Sequence, residues 1–164
     1  MTPTPSTPIE ILLVEDNPGD VRLVQEAFRE AALETTFHVA NDGRKALDFL
    51  RACQNPESDS EETESESESE FDSPSIPDLV LLDLNLPRVD GFAVLEEMRD
   101  DPEVPSPPVL VLTSSEDAED IAKSYKRAAN AYLTKPTSPD EFASLGTAIE
   151  NFWFQQAELP PVAP

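Results

Sequence analysis

The stretch that most constrains this chain is DLVLLDLNLP at 78–87, an apolar run that ends in a carboxylate, Asp83, and stops at Pro87. A strand that is apolar on both faces must be covered on both, as a central strand of a parallel sheet is covered by helices. Asp83 then stands where the strand leaves the sheet, at the carboxyl edge where open α/β sheets bind their ligands. One acid at a strand end is weak alone, because many strands stop at Asp simply to begin a turn.

Three other strand-like runs end in related chemistry. IEILLV at 9–14 runs into Glu15 and Asp16; PVLVL at 108–112 runs into Thr113, Ser114 and Ser115; AYLT at 131–134 runs into Lys135 and Pro136. If these strands are parallel, their ends bring carboxylates, hydroxyls and an ammonium to one edge. The segments between them read as helices. Asn17 is a suitable N-cap with Pro18 at the first helical position, and Val21, Val24, Phe28 and Leu33 recur at helical spacing. Thr36 to Ala40 reads as a short strand, and a helix carrying Ala46, Leu47, Phe49 and Leu50 follows. Asp90 and Gly91 open a helix with Phe92, Val94, Leu95 and Met98; another is predicted from about Asp117 to Ala129; Ser138 and Pro139 open a last one. Five strand–helix repeats with right-handed crossovers make an α/β, doubly wound five-stranded parallel sheet with helices on both faces.

With these motifs in this order, the chain resembles a response-regulator receiver domain, the phospho-accepting module of two-component signalling. Within that family it looks closest to single-domain regulators paired with phytochrome-type histidine kinases, on the strength of DNPGD at 16–20, LDLNLP at 82–87, Ser124 with Tyr125, and Phe152 with Trp153. The resemblance implies the flavodoxin-like (CheY-like) strand order 2-1-3-4-5. It also implies that Asp83 accepts a phosphoryl group from a sensor histidine kinase. Magnesium would be held by Asp16 and Asp83, by the backbone carbonyl of Asn85, and through water by Glu15, where many relatives carry a second Asp. Lys135 would pair with Asp83 and then with the phosphate, across a cis Lys135–Pro136 bond. Thr113 and Ser114 would bind phosphate oxygens, Thr113 and Tyr132 would form the switch, and Ser115 and Asn85 would flank the route of attacking water. The implied output is a changed protein-interaction surface rather than turnover of a substrate.

Two alternatives compete. A haloacid-dehalogenase-like, magnesium-dependent phosphatase also uses a strand-end Asp, but it wants a second acid two residues on, where Asn85 stands. A degenerate receiver acting as a phosphorylation-independent interaction module would not need the full set of Glu15, Asp16, Asp83, Thr113 and Lys135.

Composition limits the partners. A chain of 164 residues fits one domain, and a formal charge of -23 repels nucleic acid. Between 54 and 75 lie nine acids and no base, so self-repulsion and the scarcity of apolar residues predict a disordered insertion there. Setting those acids aside leaves -14, an excess that fits adaptation to high salt; the alternative is that the Ser/Glu repeat is a docking or phosphorylation site. The expected layout is a disordered lead at 1–8, a receiver at 9–157 and a Pro-rich tail at 158–164. Cys53, the lone cysteine, reads as helix packing, and His38, the lone histidine, as structural. Neither a signal peptide nor a membrane-spanning apolar stretch is recognisable, which predicts a cytoplasmic protein. Asn151, Phe152, Trp153 and Phe154 put three adjacent aromatics on a helix that cannot turn all of them inward. Such rings either pack back on their own domain, as in a monomer with Trp153 folded in, or mark an interface; the resemblance to phytochrome-linked regulators implies the second, a homodimer through the fourth helix, fifth strand, fifth helix and C-terminal tail.

Overall fold

The computed structural model describes residues 9–29, 34–54 and 76–152. Ten elements alternate: β1 (Ile9–Val14), α1 (Pro18–Arg29), β2 (Thr35–Ala40), α2 (Gly43–Gln54), β3 (Leu79–Leu82), α3 (Gly91–Asp100), β4 (Val109–Thr113), α4 (Ala118–Lys126), β5 (Ala131–Thr134) and α5 (Pro139–Ile149). The five strands form one sheet in the order β2-β1-β3-β4-β5, and every pair is parallel. This is the flavodoxin-like doubly wound topology, with its switch point between β1 and β3.

The strand sequences divide the core by parity. Leu12, Val14, Val80, Leu82, Val109 and Val111 pack with Leu47, Leu50, Val94, Leu95 and Met98 of α2 and α3 on one face. Ile11, Leu13, Leu79, Leu81, Leu110 and Leu112 pack with Val24, Phe28, Phe142 and Ile149 of α1 and α5 on the other. Alternate side chains of a strand point to opposite faces, so an apolar run serves both layers at once. That is why β3 and β4 are buried along their whole length.

Helix starts follow the side-chain chemistry. Asp90 Oδ1 accepts from Ala93 N at 3.0 Å, Asp117 Oδ1 from Glu119 N at 3.3 Å, and Ser138 Oγ from Glu141 N at 3.2 Å. One end differs from expectation. α4 stops at Lys126 instead of reaching Ala129, because Ala128 adopts φ 68° and the amides of Ala128 and Ala129 turn back to the carbonyls of Tyr125 and Ser124. A left-handed residue closing a helix is usually glycine, and alanine gave no warning of it. His38 is structural, its Nε2 lying 2.6 Å from Glu10 Oε1 and its ring 5.0 Å from that of Phe49. Half-buried Cys53 has its thiol pushed up to about 12 by burial and the neighbouring Glu10 charge. Gln54 closes α2 and so falls inside a helix, while residues 1–8, 55–75 and 153–164, including Trp153 and Phe154, and Leu33 lie outside the described residues. Among the described residues, no helix is long and apolar enough to cross a membrane.

Gly91 ties the fold to the carboxyl edge. A Cβ there would lie 2.5 Å from the Asp83 carbonyl oxygen and 2.7 Å from Leu84 Cα, both of them backbone atoms that cannot swing aside. Gly91→Ala is expected to lower the unfolding free energy by roughly 1–3 kcal/mol, as overpacked sites do. Urea denaturation of the two proteins measures it, and equal midpoints would mean that this approach is not tight.

Candidate functional site

Backbone bonds at the carboxyl edge bring the functional groups into register. The sheet ladder continues past the strands through Glu15 N to Ala40 O at 3.0 Å, Asp83 N to Val14 O at 3.0 Å and Lys135 N to Thr113 O at 2.8 Å. Glu15, Asp83, Thr113 and Lys135 therefore come from adjacent strand ends, as their positions in the sequence predict. After Glu15 the chain turns sharply. Asn17 donates its amide to Glu15 Oε2 at 3.1 Å, while its Oδ1 accepts from Gly19 N at 2.8 Å and Asp20 N at 3.1 Å. This cap starts α1 with Asp20 in the first turn, directed to the crevice.

At the centre is the Lys135 ammonium. Its Nζ lies 2.7 Å from Asp20 Oδ2, 2.8 Å from Glu15 Oε1 and 3.1 Å from Asp83 Oδ2. Glu15 and Asp83 are only 3 % and 5 % exposed, so these contacts are made with little water to screen them. Burial alone would depress the lysine, but hydrogen bonds to Asp20 and Glu15 and the charge of Asp83 hold its pKa above the ordinary lysine value. Burial first, and then the Asp83 charge, push the Glu15 carboxyl up to about 7 against the opposing pull of Lys135. Asp16 is exposed, yet ligand oxygens of Glu15, Asp16 and Asp83 all lie within 4.8 Å of one another. Three carboxylates thus contact the ammonium, and a fourth, that of Asp16, lies beside two of them. Hard oxygen donors with surplus negative charge suit a divalent cation, for which a few carboxylates and water suffice.

The other expected residues fall around this centre. Asp83 Oδ1 faces the Asn85 amide at 3.3 Å, and the Asn85 side chain is exposed. Thr113 is fully buried, and its Oγ1 has no hydrogen-bond partner among the described residues. Such an orphan normally calls for an explanation, and an incoming anion's oxygen supplies one. Ser114 is exposed beside it. Ser115 turns its hydroxyl away, donating to Asp120 Oδ2 at 2.7 Å, while its carbonyl accepts from the Tyr132 hydroxyl at 2.9 Å. Tyr132 is half-buried, and its amide donates to the Tyr125 hydroxyl at 3.0 Å. The cis turn expected at Lys135–Pro136 is corrected. No cis peptide bond occurs among the described residues, and this bond is trans, the form that X–Pro bonds favour intrinsically by about 0.5–1 kcal/mol. Lys135 reaches all three carboxylates from that trans backbone.

Asp20 was not among the expected site residues, although it is the nearest partner of Lys135. Its position in the first turn of α1 has an ordinary reading, since acids there complement the helix dipole. Only the rotation of α1 on the sheet turns Asp20 towards the crevice.

Comparison with known proteins supplies the family. The family model for the response regulator receiver domain matches residues 11–145. The chain belongs to the response-regulator receiver family. This receiver is 35% identical over 160 residues to the response regulator Rcp1 of Synechocystis sp., across 98% of its own length and 99% of that protein's. The crystal structure of the phosphorylated cyanobacterial phytochrome response regulator RcpA superposes with a TM-score of 0.77 at 37% identity, covering 94% of the receiver and all of that chain. The manganese-bound form of Rcp1 gives 0.75 at 37% identity with the same coverage. Receivers are regulators of two-component signalling, and these matches favour neither the phosphatase nor the degenerate reading.

The isolation of Thr113 Oγ1 has an energetic consequence. Thr113→Val removes a buried hydroxyl that the resting fold does not use, so it is expected to leave stability unchanged or raise it by about 1 kcal/mol. Thermal or urea unfolding reads this directly. A loss of stability instead would show that the hydroxyl is already bonded in the resting state.

Proposed function

We propose that this receiver accepts a phosphoryl group on Asp83 from a sensor histidine kinase, with magnesium bound by Asp16, Asp83, the Asn85 carbonyl and Glu15, and signals through an altered protein-interaction surface. The observation that carries the reading is the Lys135 ammonium 3.1 Å from Asp83 Oδ2, with the Thr113 hydroxyl, unpartnered among the described residues, at the neighbouring strand end. A divalent cation in the acidic cluster would offset charge on the transferring phosphoryl group, and the manganese in the Rcp1 crystal structure supports a cation there. The phytochrome association of RcpA supports a kinase of phytochrome type.

In the transfer, one Asp83 carboxylate oxygen attacks phosphorus, and the bond from phosphorus to the kinase histidine nitrogen breaks as the new P–O bond forms. The imidazole leaves with the bonding pair. Lys135 then faces the phosphate, and the Thr113 and Ser114 hydroxyls are available to its oxygens. Movement of Thr113 alters the space beside Tyr132, whose ring joins the core cluster of α2 and α3 and whose hydroxyl and amide are bonded to the β4–α4 loop and α4. A local charge event is thereby connected to the face formed by α4, β5 and α5. Pairing of two copies through that face and the C-terminal tail is the output we favour.

Incubation with magnesium and a small acyl phosphate or phosphoramidate is expected to label the wild type with acid-stable, hydroxylamine-labile phosphate. Asp83→Asn should lose that label. Equal labelling of the two proteins would overturn the assignment.

A further inference from the structure

We infer that Asp20 is a positioning residue for Lys135, the carboxylate that retains the ammonium when a divalent cation occupies the crevice. The inference rests on the phospho-acceptor reading and concerns a residue which that reading leaves without a role. Of the three carboxylates bonded to Lys135 Nζ, Glu15 and Asp83 also belong to the acidic cluster that can hold a metal, and Asp20 does not. A cation that engages Glu15 and Asp83 competes with Lys135 for the same carboxylates and repels its ammonium. Asp20 is the partner left over. It makes the shortest of the three contacts, 2.7 Å, and its backbone is anchored by the bond from Asp20 N to Asn17 Oδ1 at 3.1 Å. Lys135 is 9 % exposed and Asp20 26 %, so the pair sits at the mouth of the crevice, with the ammonium inside and the carboxylate at its rim.

Without the Asp20 charge, Lys135 falls back on Glu15 and Asp83 and contests them with the cation. The two substitutions should therefore be coupled. Isothermal titration with magnesium alone is run on the wild type, Asp20→Asn, Lys135→Met and the double variant. With Lys135 present, Asp20→Asn is expected to weaken magnesium binding roughly five- to tenfold, a coupling of the size seen between contacting residues. In the Lys135→Met background the same change should alter it by less than about twofold. Asp20→Ser, which removes the charge in a smaller side chain, should follow the same pattern, and urea midpoints establish that each protein is folded. Equal losses in both backgrounds would overturn the role, because Asp20 would then be acting on the cation directly. No loss on Asp20→Asn would overturn it as well. A wild type that binds no magnesium would instead strike the phospho-acceptor reading, and this inference with it.

Discussion

The structure depends on a single ammonium placed among carboxylates at the edge of a sheet. Lys135 is held within 3.1 Å of Glu15, Asp20 and Asp83, and two of those three acids are buried. Buried carboxylates lose hydration and, so close together, also repel one another, which is why the Glu15 carboxyl is pushed up to about 7. One lysine does not neutralise four acids. The resting crevice is therefore a site of unbalanced charge that a cation can relieve, and the surrounding sheet must be rigid enough to hold it together.

That rigidity comes from the same residues that make the strands legible. β1, β3 and β4 are apolar on both faces, so each one locks α1 and α5 to one side and α2 and α3 to the other. Parallel register then sets the positions of the strand ends, and with them the functional groups. The carboxyl edge also carries several places where the fold departs from ordinary packing. Gly91 lets the start of α3 approach the Asp83 carbonyl, Arg88 takes φ 67° in the loop between β3 and α3, and the buried Thr113 hydroxyl has no partner among the described residues. At the amino edge Asp78 and Glu10 exchange ordinary hydrogen bonds, and Ala128, at φ 68° just before β5, is the departure there.

Much of this was legible because the signals are local. Apolar runs of strand length, the helix starts at Asn17, Asp90, Asp117 and Ser138, and the acids, hydroxyl and lysine at strand ends each carry their meaning within a few residues. What could not be read depends on tertiary placement or on backbone conformation without a residue signature. Asp20 becomes a partner of Lys135 only through the rotation of α1, 115 residues away in the chain. Ala128 ends α4 in a left-handed conformation that glycine would have announced. The Lys135–Pro136 bond is trans although resemblance implied cis, because proline permits either form and only the surrounding chain selects one.

The most direct test of the account is chemical identification of the acceptor. The receiver is phosphorylated with magnesium and a small phospho-donor, reduced with borohydride, and digested for peptide mass spectrometry. Borohydride converts an aspartyl phosphate to homoserine, so the modified position is read from the peptide itself. The account predicts homoserine at position 83, dependent on magnesium. Homoserine at Asp16 or Asp20, or none at position 83 in protein that carries hydroxylamine-labile phosphate, would contradict it.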